Sequence, residues 1–180
     1  MKNIFKVFII TASIVLFVNV NSFALVDGAV WGGYGFSGKV EGNSDMDPKS
    51  ADYGFKAHYN TSLLPLIELG LGGYYQYSKI KLDLTGTDDW TRNSAGFDGN
   101  LILSLPIIHP YVRGTYAFWD KLKTDQTTDT EKFKAYGYGA GLEVTVFPFL
   151  RIFGEYMFEK TDHDGYLKMN SVNFGLKADI

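Results

Sequence analysis

The stretch Leu142–Tyr156, LEVTVFPFLRIFGEY, decides the fold. On both sides of Phe147-Pro148-Phe149-Leu150 apolar and polar residues alternate with the period of two that marks a β-strand. Chain reversals normally sit in water and are built from Gly, Asn, Asp and Ser. This one is greasy, while Glu143, Arg151 and Glu155 lie on the strands it joins. A hairpin with oil at its turn and ions along one strand face calls for an apolar medium at that turn and a sheltered polar space behind it.

The same alternation recurs through the chain. It predicts strands over Val26–Lys39, Tyr53–Asn60, Leu66–Ser78, Ser94–Ser104, Tyr111–Phe118, Ala135–Val146, Arg151–Phe158 and Ser171–Ile180. Most approach the length of a tilted membrane-spanning strand, about 9–11 residues. Long polar connections (41–52, 79–92, 119–134 and 159–169) are separated by the short ones TSLLP, LPIIHP and FPFL. Regular strands with short returns predict an all-β fold, an eight-stranded antiparallel up-and-down barrel over residues 25–180.

Composition agrees. The chain of 180 residues fits one domain, and 12 Tyr, 14 Phe and 20 Gly favour strands and their punctuation. A net charge of −3 gives no nucleic-acid footprint, and the absence of Cys excludes disulfides and thiolate metal sites. Residues 1–24 read as a cleavable secretory signal: Lys2 and Lys6 precede an apolar run from Val7 to Val18, and small Ser22 and Ala24 mark the cleavage site. That run is shorter than the 18–20 or so residues of a membrane anchor. An exported chain with no helical span can enter a membrane only with strands.

Alternation alone leaves open which face is inside, because a soluble barrel and a membrane barrel reverse the two. One parity is apolar throughout, as in Phe97, Leu101 and Leu103 or Val172, Phe174 and Leu176. The other carries Asp27, Lys39, Lys56, Glu68, Asp98, Arg113, Glu143, Arg151, Glu155, Lys177 and Asp179, with His58, Asn100 and Asn173 among its uncharged polar residues. Three features put that polar face inside. It is rich in Gly (Gly54, Gly70, Gly141, Gly175), as a crowded lumen requires and open water does not. The three short turns hold no charged residue, although the chain has 17 Lys and Arg and 20 Asp and Glu. Rings such as Tyr77, Tyr136 and Phe158 fall near the long-loop ends of their strands, and Tyr59, Phe147 and Phe149 near the short-turn ends, forming two girdles. A lumen network of Lys56, Glu68, Asp98, Arg113, Glu143, Arg151, Glu155 and Lys177 follows, plugged by Trp31, Tyr74, Tyr111 and Phe153.

The chain therefore resembles the small eight-stranded outer-membrane barrels, the OmpA-transmembrane-domain and OmpX/opacity-like group. HPYVRGTYAF at the fifth strand, the hairpin YGYGAGLEVTVFPFLRIFGEYMF and the ending NFGLKADI carry the resemblance. The last fits the polar-x-Gly-x-x-apolar-x-apolar assembly signal through Asn173, Gly175, Ala178 and Ile180, with Ile180 where Phe is usual. The resemblance implies residence in the bacterial outer membrane, insertion by the outer-membrane assembly machinery, and periplasmic termini. It also implies a possible extracellular partner at the four long loops, in adhesion, surface protection or envelope integrity.

Chemistry is sparse. Some barrels of this size modify lipids with a His, a Ser and an acid, but His58 has inward parity, His109 falls in a short turn, and no Ser lies near His163 in its loop. Asp45–Asp47 and Asp162–Gly165 lack the spacing of a calcium loop. The sequon at Asn60 falls in a short turn. No catalytic, metal or cofactor residue is assigned, and the protein is expected not to be an enzyme. A secreted lipocalin-like carrier of an apolar ligand and a lipid-modifying enzyme are the alternatives.

Overall fold

The computed structural model describes residues 25–40, 48–81, 89–124, 127–162 and 167–180. The predicted signal, residues 1–24, lies outside them, as do Asp45, Asp47 and His163. Eight strands follow in order: β1 (Val26–Val40), β2 (Lys49–Leu64), β3 (Ile67–Lys81), β4 (Trp90–Leu103), β5 (Ile108–Thr124), β6 (Thr127–Phe147), β7 (Leu150–Asp162) and β8 (Leu167–Asp179). Each pairs antiparallel with its sequence neighbours, and β8 closes on β1. The short-turn rim is knitted further: the Asn60 N–H donates to Leu25 O at 2.9 Å and the Ile180 N–H to Val26 O at 2.9 Å.

The expected parity holds through the membrane-spanning part, and the polar face is inside. Lys177 is 1% exposed and Asp98 and Glu143 2%, whereas Phe97 is 65% and Phe174 68% exposed. Only a medium as apolar as these side chains makes that distribution stable, because unpaired backbone is confined to the rims and a closed barrel has no sheet edge. A soluble carrier of an apolar ligand needs the opposite arrangement.

The structure corrects the strand limits. Every strand runs beyond its predicted long-loop end, and residues 119–124 and 127–134, read as loop, pair as a continuation of the β5–β6 hairpin through Asp120↔Phe133 and Thr124↔Thr127. Polarity misled here: outside the bilayer a strand carries polar residues on its outer face too. Bulges hid the phase as well. Register shifts between Gly35 and Ser37 and between Ala117 and Asp120 exchange the two faces beyond them. Lys39, expected in the lumen, is consequently exposed, and Asp120 is buried. His109, expected in a turn, is a buried strand residue of β5, and β2 runs on past Asn60, the residue expected to end it, which is buried on the polar face.

The inward glycines make room for the plug. A Cβ on Gly54 would enter the indole of Trp31, one on Gly141 would meet the Tyr111 ring at 2.6 Å, and one on Gly175 the Phe153 ring at 2.6 Å. Gly28 faces open space outward, with nothing within 4 Å. Gly54→Ala is therefore expected to cost about 1–3 kcal/mol by overpacking, while Gly28→Ala leaves stability unchanged or slightly raised. Unfolding midpoints in detergent or lipid read both, and equal effects would remove the packing argument.

Candidate functional site: a sealed polar lumen

The lumen is built in levels, each set by inward positions of adjacent strands. Nearest the short turns, Arg151 Nη1 lies 3.0 Å from Glu143 Oε2 and its Nη2 2.8 Å from Asp179 Oδ2. Lys177 Nζ bridges Glu143 Oε1 at 3.1 Å and Asp27 Oδ2 at 3.0 Å. Glu68 accepts the Ser104 hydroxyl at 2.5 Å, away from these pairs.

One level up, the imidazole of His58 sits between two carboxylates, Asp27 Oδ1 on Nδ1 at 2.9 Å and Asp98 Oδ1 on Nε2 at 3.0 Å. Asp98 also accepts from Arg113, whose Nε donates to Oδ2 at 2.8 Å, and the other side of the guanidinium donates to Glu155. Glu155 further accepts from the Tyr111 hydroxyl at 2.8 Å and from Asn173 at 3.1 Å, with Lys56 Nζ 3.5 Å away. The two cations stack on the plug. Lys56 Nζ lies 4.6 Å from the Phe153 ring centroid and Arg113 Cζ 5.1 Å from that of Trp31. Charges so deeply desolvated persist only when each has an opposite charge at hand, as every one of these does.

All eight residues expected in the lumen are buried. Seven of them form ion pairs, in two groups: Lys56, Asp98, Arg113 and Glu155 in one, Glu143, Arg151 and Lys177 in the other. Asp27 and His58 link the groups, through Lys177 on one side and Asp98 on the other.

A further level was missed. Arg92 Nε donates to both oxygens of Asp120, at 2.9 and 3.0 Å, and its Nη1 to Glu159 Oε2 at 2.6 Å. Asp52 is buried nearby and accepts from Ser50 at 3.0 Å. All four had been placed in loops. Continuing the inward parity of β2, β4 and β7 by a few residues finds Asp52, Arg92 and Glu159, whereas the bulge conceals Asp120. Beyond this triad the inward face turns apolar: Ile80, Leu167 and Met169 are buried together, with Trp90 and Leu122 packed on them. Three charged levels, an aromatic plug and an apolar cap thus occupy the barrel interior.

Catalytic geometry does not assemble among the described residues. His58 touches carboxylates but no hydroxyl. His109 Nε2 lies 2.8 Å from Thr145 Oγ1, yet its Nδ1 has no partner to orient it. Among the described residues no three His, Asp or Glu side chains are arranged to hold a metal ion.

No protein-family model and no curated protein matches the sequence. Solved structures do. Neisserial surface protein A aligns over 86% of this chain and 96% of its own, with a TM-score of 0.61 and 12% identity. Ail, the attachment invasion locus protein of Yersinia pestis, aligns over 85% and 97%, with 0.50 and 14%; its structure is also known with the heparin analogue sucrose octasulfate. The N-terminal β-barrel domain of Pseudomonas aeruginosa OprF aligns over 86% and 98%, with 0.51 and 16%. At such identities the likeness is one of fold: the closed eight-stranded antiparallel barrel of outer-membrane proteins.

Proposed function

We propose that this is a non-enzymatic outer-membrane barrel whose work is done at its long-loop end, as a contact surface, and not through its lumen. The observation that carries the reading is the filling of the lumen. A solute would have to part the Arg113–Asp98–Glu155 and Arg92–Asp120–Glu159 clusters and the cap of Ile80, Leu167 and Met169. Eight strands enclose only enough room for side chains.

In this reading residues 1–24 direct export and are removed, and Asn173, Gly175, Ala178 and Ile180 are read by the assembly machinery. The connections within 41–52, 79–92, 119–134 and 159–169 then meet the exterior. Attachment to a surface is the role we test first among adhesion, surface protection and envelope integrity, since the Yersinia neighbour carries it in its name.

In planar bilayers the protein is expected to insert without stepwise conductance. On cells, deleting residues 41–47 and 82–88 together is expected to leave heat-modifiable barrel in the membrane while reducing attachment at least severalfold. Discrete conductance steps would overturn the sealed-lumen reading, and attachment unchanged by the deletion would overturn adhesion through those loops.

A further inference from the structure

The short-turn end of the lumen holds a charge that the ion-pair network leaves over. Below the plug, Asp27, Glu68, Glu143 and Asp179 share the space with Arg151 and Lys177, and both cations are taken. Arg151 is held by Glu143 and Asp179, and Lys177 by Glu143 and Asp27. Glu68 is 4% exposed and forms no ion pair among the described residues; it accepts the Ser104 hydroxyl at 2.5 Å. A buried carboxylate without a counter-charge is costly. Sealing the lumen does not require it.

A second unsatisfied group lies at the same height. His109 is 6% exposed, and its Nε2 lies 2.8 Å from Thr145 Oγ1 on β6 while its Nδ1 has no hydrogen-bond partner. Barrel stagger brings this ring level with Glu68. Traced from strand to strand through cross-strand partners, the row that begins at Glu68 passes Ile102 and Tyr111 and returns to β3 at Ser78, ten residues on. Each strand thus slips by a little over one residue along the barrel axis. Two strands from Glu68, the equal height on β5 falls about two residues before Tyr111, at His109. The strand between them brings Ser104 to Glu68, and Ile102, fully buried, lies one inward position farther up. With Nε2 turned to β6, Nδ1 is the ring nitrogen left to the β4 side.

We infer that Glu68, Ser104 and His109 form a binding site for a divalent transition-metal ion of the zinc or copper class, entered from the short-turn mouth. An imidazole nitrogen beside a carboxylate and a hydroxyl selects such ions over calcium and magnesium, which take oxygen ligands. Thr145 steadies the ring from its other nitrogen, as outer-shell partners of metal-bound histidines do. Among the described residues no third carboxylate or imidazole joins the set. Water completes the coordination, so the site is open and exchangeable, unlike a closed structural zinc site. The ion supplies the positive charge that Glu68 lacks.

The test uses the full mature chain, without an affinity tag, refolded in detergent and titrated calorimetrically with Zn²⁺. Wild type is expected to bind one equivalent and to unfold at a higher temperature in its presence. Glu68→Gln and His109→Gln are each expected to abolish that binding, and Thr145→Val to weaken it about tenfold. Without metal, Glu68→Gln is expected to be at least as stable as wild type, because the unpaired carboxylate is gone. His163→Ala, in the last long loop, is expected to bind as wild type does. No saturable binding to wild type, or zinc bound equally by wild type and either glutamine variant, would overturn the inference. So would a Glu68→Gln barrel less stable than wild type without metal, which would mean that the chain already pairs this carboxylate itself. Calcium or magnesium bound as tightly as zinc would refute the choice of a transition metal, and loss of binding in His163→Ala would remove the site from the lumen.

Discussion

Arg113→Ala is expected to lower the stability of the barrel by about 3–5 kcal/mol, the loss typical of breaking a buried ion pair from one side. The guanidinium holds Asp98 and Glu155 together within the lumen, and it stacks on Trp31. Without it, Asp98 keeps His58 and Glu155 keeps Lys56, Tyr111 and Asn173, so the network is weakened without vanishing. Arg113→Lys retains the charge but cannot fork between two carboxylates, and a smaller loss is expected. The decisive comparison is Arg113→Met/Asp98→Asn, which leaves Glu155 with Lys56, Tyr111 and Asn173 and leaves His58 with Asp27. Most of the cost of the single variant is the penalty of leaving a carboxylate underpaired, so removing one charge of each sign is expected to recover most of the stability. Reversible denaturant unfolding in lipid vesicles measures each step. A loss under about 1 kcal/mol for Arg113→Ala, the range of exposed pairs, would show water reaching this level and would undo the sealed lumen.

How much of this was legible in the sequence depended on where the solvent changes. Inside the bilayer the outer face is forced to be apolar, so every inward ion stands out against it, and Lys56, Glu68, Asp98, Arg113, Glu143, Arg151, Glu155 and Lys177 were all found in that zone. The turn Phe147–Leu150 could be read for the same reason: its rings are exposed, and Phe147 and Phe149 stack at 6.2 Å between centroids on the rim. Beyond the girdle both faces carry polar residues, the contrast disappears, and strand was mistaken for loop at 119–124. Arg92, Asp120 and Glu159 went with it. Lys39 failed for a different reason. A bulge adds one residue, and period-2 reading has no means of noticing that its phase has slipped.

Pairing of inward ions was partly legible and its partners were not. Glu143 and Arg151 are near in sequence and meet across the β6–β7 hairpin. Asp98 meets His58 from two strands away, a contact set by barrel curvature and strand stagger, which no local pattern encodes. The apolar cap escaped similarly. Ile80, Leu167 and Met169 come from β3 and β8, each looks like an isolated apolar residue in a polar segment, and only closure brings them together.

Leu101→Arg is expected to abolish stable insertion or to cost about 2–4 kcal/mol, the penalty for a guanidinium facing lipid near the midplane. Leu101 is 42% exposed on β4, paired with Leu69 and Val112, and its neighbours along the outer face are Phe97, Gly99 and Leu103. Nothing on that face can take five N–H donors. By strand parity alone, Asn100→Arg, one residue away on the polar face, would be the tolerated control. The structure withdraws that control. Asn100 is 3% exposed, its amide lies 3.5 Å from His58, and a Cβ on Gly70 across the strand would already collide with it. An arginine there has charge partners but no room, so it too is expected to fail, by overpacking. The usable control is Leu101→Phe, which enlarges the side chain on a face where size is unconstrained and is expected to assemble normally. Heat-modifiability on a gel and recovery in the membrane fraction separate the three. Arginine tolerated at 101, with phenylalanine rejected there, would mean that water and not lipid lies against β4, and the inverted barrel would be wrong.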